Sequence, residues 1–188
     1  MTITGPAITR LILLGFVASL LQLTSASQVS IFGVPMDLSP LIVASVGFLA
    51  GSVPGMIFGF CFGLFADTAL MQTLGVTSLV LTAVGYGAGR VRELRDPAHG
   101  LAPVAVGAAA TAIAALGITL LQFLLGVEAP VSAQVVRQIL MTIVLNTLLA
   151  LPVYLIVRRV LSPFLPDDPR RRRRRAYTTG GLSPITRA

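Results

Sequence analysis

Few side chains in this sequence are suited to acid–base or metal chemistry, and they lie far apart. The single histidine, His99, falls in a polar loop, and the single cysteine, Cys61, falls inside an apolar run, so no set of metal ligands or disulfide partners is present. The sequence also has no lysine and neither the phosphate-loop nor the dinucleotide glycine pattern. We therefore predict a protein that is not an enzyme and that uses no cofactor.

The most informative spacing is a glycine at every fourth residue from position 47 to position 63. Gly55, Gly59 and Gly63 fall on one narrow stripe of a single predicted helix. Small residues let helix backbones approach closely in lipid, so this stripe predicts helix packing or contact with a partner. Phe58 points about 100° away from Gly59, and we expect its ring to face lipid.

Several polar residues lie within or at the ends of apolar runs, where they are costly. Asp67 continues the glycine spacing; it either marks the interfacial end of its helix or makes a functional contact, and the sequence leaves both interpretations open. Asn146 lies in the middle of a predicted span, with Gln122 and Thr119 as weaker candidates. Because a buried amide needs hydrogen-bond partners, Asn146 is expected to join helices rather than bind a ligand. Pro152 removes a backbone hydrogen bond and is predicted to kink its helix.

The elements that position these residues are predicted to be membrane helices. Of the 188 residues, 55% are apolar and 11% are charged, whereas soluble domains carry about 25% charged residues. The mean hydropathy is +0.88, and the charges cluster between long apolar runs, an arrangement that suits lipid as the solvent. The net charge of +7 comes largely from an arginine run near the C-terminus, so nucleic acid is not an expected partner.

The apolar runs predict six transmembrane helices, since a span needs about 20 mainly apolar residues. We predict an all-α integral membrane protein, a six-helix bundle within residues 1–165, followed by a disordered arginine-rich cytoplasmic tail in residues 166–188. Reading residues 10–27 as a cleaved signal peptide would leave five spans instead. The six runs cover about residues 11–26, 38–50, 54–70, 76–88, 101–125 and 135–157, of which the second and fourth are short.

Arginine placement predicts the orientation, because positive residues are concentrated in cytoplasmic loops. With six spans, the arginines that flank the spans fall on one side with the tail, except Arg137, so both termini are predicted to be cytoplasmic. Arginines on that side are also expected to attract anionic lipid. The predicted membrane-surface anchors are Arg90, Arg92, Arg95, Arg158, Arg159, Arg170, Arg171, Arg172, Arg173, Arg174 and Arg175.

Four segments in this order resemble the family of the rod shape-determining protein MreD. They are residues 37–43 (DLSPLIV), 55–67 (GMIFGFCFGLFAD), 85–90 (GYGAGR) and 146–159 (NTLLALPVYLIVRR). The resemblance runs from about residue 35 to residue 161 and leaves the tail unassigned. One departure is Met36, because family members often place proline directly before the aspartate that Asp37 matches.

This resemblance implies a non-enzymatic component of the bacterial cell-elongation complex in the cytoplasmic membrane. Such proteins maintain rod shape by scaffolding lateral peptidoglycan synthesis with MreC, the RodA glycosyltransferase, a penicillin-binding transpeptidase and the MreB cytoskeleton. The resemblance also implies a fold similar to the substrate-binding subunits of energy-coupling-factor vitamin transporters, which supplies the alternative function. A transporter subunit needs a pocket with convergent polar groups, and the sequence offers few, which favours the scaffold.

Overall fold

The computed structural model describes residues 9, 13–19, 30–31, 34–35, 37–94, 101–126 and 133–162. Residues 13–19 are helical and are called α1. The predicted tail, with Arg170 to Arg175, and the predicted anchor Arg95 lie outside the described residues. The other elements are β1 (Ser30–Ile31), β2 (Val34–Pro35), α2 (Ser39–Ala50), α3 (Ser52–Ala69), α4 (Val76–Leu94), α5 (Ala102–Leu124) and α6 (Ala133–Leu161).

The described part of the chain is helical apart from one short pair of strands. Strands β1 and β2 pair antiparallel, with Ser30 opposite Pro35 and Ile31 opposite Val34. The sequence did not predict this pair, because two residues per strand are too few to produce a recognisable alternation of apolar and polar side chains. The helical class that was predicted is otherwise confirmed.

Three described helices are long and apolar enough to cross a membrane: α3, α5 and the part of α6 from Val135 to Leu161. Helix α2 has only 12 residues, which gives about 18 Å of length against ~30 Å of hydrocarbon. Helix α4 continues past its predicted end near Ala88 to Leu94. The added turns contain Arg90, Arg92 and Glu93, whose residue types favour a helix but lower its hydropathy.

The shortest of these apolar helices, α2, lies at the centre of the fold. It contacts α3, α4, α5 and α6, and its side chains Leu41, Val43 and Val46 are at most 1% exposed. A helix that is apolar on every side is expected to be buried on every side. Its neighbours therefore shield a helix that is too short to span a bilayer by itself.

The expectation that Phe58 faces lipid is wrong. Its side chain is only 8% exposed, and its ring stacks on that of Phe62 with 5.8 Å between the ring centroids. A β-carbon built on Gly15 of α1 would lie 3.2 Å from the Phe58 ring, so α1 packs over this flank of α3. Because α3 is apolar on all sides, its sequence did not indicate which flank another helix covers.

Candidate functional site

The glycines predicted to form a stripe meet two other helices at very short range. Gly55 and Gly59 of α3 lie against Gly47 of α2 and against Gly85 and Leu81 of α4. A β-carbon built on Gly55 would lie 2.5 Å from the Gly47 Cα, and one on Gly59 would lie 2.8 Å from the Leu81 carbonyl carbon. We call this region the glycine contact; its members are Gly47, Gly55, Gly59, Gly63, Gly85 and Gly89.

In the glycine contact, the helix backbones touch each other directly, and this limits where a partner helix can bind. A β-carbon on Gly63 would lie 2.7 Å from the Ser78 backbone nitrogen, so the close approach continues to the start of α4. Side chains at such positions would separate the helices and lose many weak dispersion contacts together. The stripe on α3 therefore faces the protein's own helices, and a partner helix would have to displace α4 to reach it.

Asp67 lies in the last turn of α3 and is fully buried, with 0% of its surface exposed. Its Oδ2 accepts hydrogen bonds from the backbone N–H groups of Gly75 (2.8 Å) and Ser78 (3.4 Å). These groups belong to the start of α4, where unpaired N–H groups and the helix dipole attract negative charge. Its Oδ1 is buried and has no hydrogen-bond partner among the described residues. The carboxylate thus braces the α3–α4 turn from inside the fold.

Asp67→Ala should lower the free energy of unfolding by about 1–2 kcal/mol, because the start of α4 loses its cap. Asp67→Asn should cost less, since its amide oxygen can replace Oδ2 and still accept both hydrogen bonds, although without the negative charge. The measurement is thermal unfolding of the purified protein in detergent. Thr68→Val is the control, because the Thr68 hydroxyl donates only to carbonyls of its own helix, those of Leu64 and Phe65. Unchanged stability of Asp67→Ala with lost cellular function would contradict the brace and indicate a partner contact.

Asn146 connects the middle of α6 to the start of α2. Its side chain is 1% exposed, and its Nδ2 donates to the Asp37 carbonyl oxygen (2.7 Å) and to the Thr111 hydroxyl of α5 (3.3 Å). The Asp37 carboxylate in turn accepts from the Ser39 backbone N–H (3.0 Å) at the first turn of α2. We call Asp37, Thr111 and Asn146 the polar clasp. Thr111 and Asn146 lie near the middle of α5 and α6, where lipid offers no hydrogen-bond partners. The polar clasp supplies such a partner to the Asp37 carbonyl.

Two other positions singled out in the sequence, Thr119 and Pro152, have simpler surroundings. The Thr119 hydroxyl donates to the Ala115 carbonyl of its own helix (2.8 Å). Pro152 lies inside α6, which continues through it from Ala133 to Leu161. Sequence reasoning missed Thr111, although its position on an alanine-rich helix marked it as a polar group in need of a partner.

The predicted arginine anchors divide into two groups. Arg90, Arg158 and Arg159 are exposed at the ends of α4 and α6, and the Arg90 guanidinium lies over the Tyr86 ring, 5.9 Å from its centroid. Arg92 turns toward the protein instead, where its guanidinium donates to the Leu49 carbonyl oxygen near the end of α2. A carbonyl there lacks a helical donor, and a cation also complements the negative end of the helix.

Glu93 makes the matching contact at the start of α3. Its Oε1 accepts from the Ser52 backbone N–H (3.0 Å) and from the Ser52 hydroxyl (2.7 Å). The two helices join at Gly51, whose φ of +107° favours glycine. We call Arg92, Glu93, Leu49 and Ser52 the charged bracket. In this bracket, two neighbouring residues of α4 bind the ends of two other helices: Arg92 contacts the end of α2, and Glu93 contacts the start of α3. The spacing of charges in the sequence could not reveal it, because Arg92 is 43 residues from Leu49 and Glu93 is 41 residues from Ser52.

The pKa of Glu93 lies below its ordinary value because the Ser52 backbone N–H, then the Ser52 hydroxyl, then Arg90 favour the ionised carboxylate. A lowered pKa in the folded state stabilises the fold above the ordinary pKa, and this stabilisation disappears as the pH falls through the lowered pKa. Wild type should therefore unfold at a higher temperature than Glu93→Gln at pH 7. This difference should shrink to nothing in acid. Arg90→Gln is the control and should change little, since its ion pair with Glu93 is exposed. A difference that grows in acid would contradict the bracket.

One cleft in the described part of the chain lies between α2, α5 and α6. Its free volume is about 10 Å³, roughly the room needed for one water molecule, whereas small-molecule sites enclose about 300–1,000 Å³. The residues that line it are Leu41, Ala44, Ser45, Phe48, Pro103, Val106, Gly107, Ala150 and Tyr154.

These features together define a helical membrane protein in which the glycine contact, Asp67, the polar clasp and the charged bracket all bind the chain's own backbone. A family model described as rod shape-determining protein MreD matches residues 3–160. The chain belongs to this family, and the resemblance found in the sequence is confirmed. No curated protein and no solved structure matches the chain.

Proposed function

We propose that this chain is a non-enzymatic scaffold that maintains rod shape by organising lateral peptidoglycan synthesis within the bacterial cell-elongation complex. The observation that supports this proposal most strongly is the family match over residues 3–160. Buried polar groups such as Asp67 and Asn146 form hydrogen bonds with the chain's own backbone, which agrees with a scaffold. Such an interior fixes a rigid shape whose outer surface is available to other proteins.

The proposed location is the cytoplasmic membrane of a bacterium, crossed several times. The proposed partners are MreC and, through the complex, RodA, a penicillin-binding transpeptidase and MreB. Anionic lipid at the cytoplasmic face is a further proposed partner, attracted by the exposed Arg90, Arg158 and Arg159 at about 1 kcal/mol for each basic residue near the surface.

The proposed topology has six spans and both termini in the cytoplasm. In support, the charged bracket joins the end of α2, the start of α3 and the end of α4, while Asp67 joins the other ends of α3 and α4. Reporters fused after Ala188 and placed beside His99 should both be active in their cytoplasmic forms, and a tag near Glu128 should be accessible from outside. Finding His99 and Glu128 on the same side would exclude six spans.

The experiment that tests the proposed function is recovery of the tagged chain from native membranes, followed by mass spectrometry of what accompanies it. We expect elongation proteins in the recovered material and no vitamin retained through purification. A bound vitamin would raise the unfolding temperature according to its concentration relative to its affinity. Nanomolar vitamin binding without any elongation protein would replace the scaffold with a transporter subunit.

A further inference from the structure

One face of α6 carries an apolar stripe with the spacing of a coiled coil. Met141, Val144, Leu148, Leu151 and Leu155 are separated alternately by three and four residues, which are the a and d positions of a heptad. All five are exposed, from 39% at Met141 to 77% at Leu148. A second helix crossing at about 20° can interdigitate with such a stripe. Exposed apolar side chains by themselves indicate only contact with lipid. Two further features of α6 indicate what covers the stripe.

The first feature is a backbone carbonyl that has lost its helical donor. Proline has no N–H, so Pro152 cannot donate to the Leu148 carbonyl four residues earlier. Both residues are exposed, and Leu148 lies near the midpoint of α6, where the lipid around a spanning helix offers no donor. The hydroxyl of the preceding residue, Thr147, already donates to the Ile143 carbonyl (2.6 Å). A donor on a neighbouring helix would fill this gap.

The second feature is the charge at both ends of the stripe. Arg137 lies four residues before Met141 and Arg158 lies three residues after Leu155, so both continue the heptad register, and both are exposed. A second copy of the chain packed across a twofold axis along the membrane normal would place like charges opposite each other at both ends. A helix with carboxylates at its ends would instead pair with both arginines.

We propose that the exposed stripe of α6 binds one membrane-spanning helix of another protein, with carboxylates at its ends and a hydrogen-bond donor, such as a side-chain amide, at its middle. The apolar positions supply the packing, the Leu148 carbonyl selects the donor, and the two arginines select the charge. This inference rests on the proposed scaffold function, because it assigns the surface by which the scaffold recruits a partner.

The test uses the full chain reconstituted in phosphatidylcholine vesicles and synthetic leucine–alanine helices of about 20 residues. A donor dye on Cys61, which is exposed on α3, and an acceptor dye on the peptide report association by energy transfer. The peptide with aspartate ends and a central asparagine should bind about three- to tenfold more tightly than the same peptide with a central leucine. A matched peptide with arginine ends should bind more weakly than either.

Variants of the chain separate the two selecting features from the packing surface. Pro152→Ala restores the backbone donor to Leu148, so it should abolish the preference for asparagine over leucine while the aspartate-ended peptides still bind. Leu148→Ala with Leu155→Ala should weaken every peptide. The matched control is Leu116→Ala with Leu120→Ala, an exposed leucine pair on α5 (58% and 57% exposed), which should change nothing.

Three results would overturn the inference. They are equal binding of the asparagine and leucine peptides to wild type, equal loss from the α5 and α6 leucine pairs, and energy transfer between copies of the chain that the aspartate peptide does not displace. In the last case the stripe would be an interface between two copies. Because the test uses isolated protein, any of these results leaves the role in cell shape standing.

Discussion

Gly85→Ala should strongly reduce accumulation of the folded protein, although it adds a single methyl group. A β-carbon on Gly85 would lie 2.6 Å from the carbonyl carbon of Gly55, and a backbone cannot rotate away as a side chain can. Overpacking of a well-packed core costs about 1–3 kcal/mol even where side chains can shift, against total stabilities of about 5–15 kcal/mol. We expect Gly59→Leu to fail in the same way, because of its approach to Leu81.

The matched control is Gly87→Ala, two residues further along the same helix. A β-carbon on Gly87 would meet no atom within 4 Å, and alanine favours a helix over glycine by up to about 1 kcal/mol. The yield of monodisperse protein in detergent and its unfolding temperature should therefore equal or exceed those of wild type. Similar yields of Gly85→Ala and Gly87→Ala would show that α3 and α4 do not touch at the glycine contact.

Asn146→Leu is expected to produce the second-largest loss of stability. The change removes the amide that donates to the Asp37 carbonyl and to the Thr111 hydroxyl, although this hydroxyl keeps its own hydrogen bond to the Gly107 carbonyl. Removing one partner from a buried hydrogen bond costs about 1–3 kcal/mol, and water cannot replace the amide at this depth. The start of α2 should loosen first, because Asp37 also accepts from Ser39 there.

Hydrogen exchange in detergent measures this effect at the start of α2. The backbone N–H groups of residues 41–44 should exchange faster in Asn146→Leu than in wild type, together with a lower unfolding temperature. Thr147→Val is the control, since the Thr147 hydroxyl bonds only within its own helix. Equal exchange in wild type and Asn146→Leu would mean that α2 is held by apolar packing alone.

The sequence predicted the extent of the apolar helices well, because length and hydropathy are local properties of the chain. Helix α5 was expected over residues 101–125 and is found at Ala102–Leu124. The glycine spacing also predicted a close approach of helices, since the absence of a side chain has the same consequence in any bundle. The spacing could not show which helices lie against α3; they are α4 and α2.

The errors and omissions arise where only the tertiary structure decides. Phe58 was expected in lipid, but an apolar helix has no polar face to distinguish lipid from protein, and α1 covers that flank. The contact of Arg92 with the Leu49 carbonyl was missed, because the position of a charge in the sequence indicates membrane boundaries and not a partner across the fold; its role as a membrane-surface anchor stays a prediction. The central place of α2 was likewise unforeseen, since its short length does not indicate which helices surround it.

The measurement that tests the proposed function most directly is cell shape after depletion of this chain in its native rod-shaped host. Cells should become round or swollen while they continue to grow, and wild-type protein should restore rods. Gly87→Ala should also restore them, whereas Gly85→Ala should not. Cells that remain rod-shaped after the protein has disappeared from their membranes would contradict a role in shape maintenance.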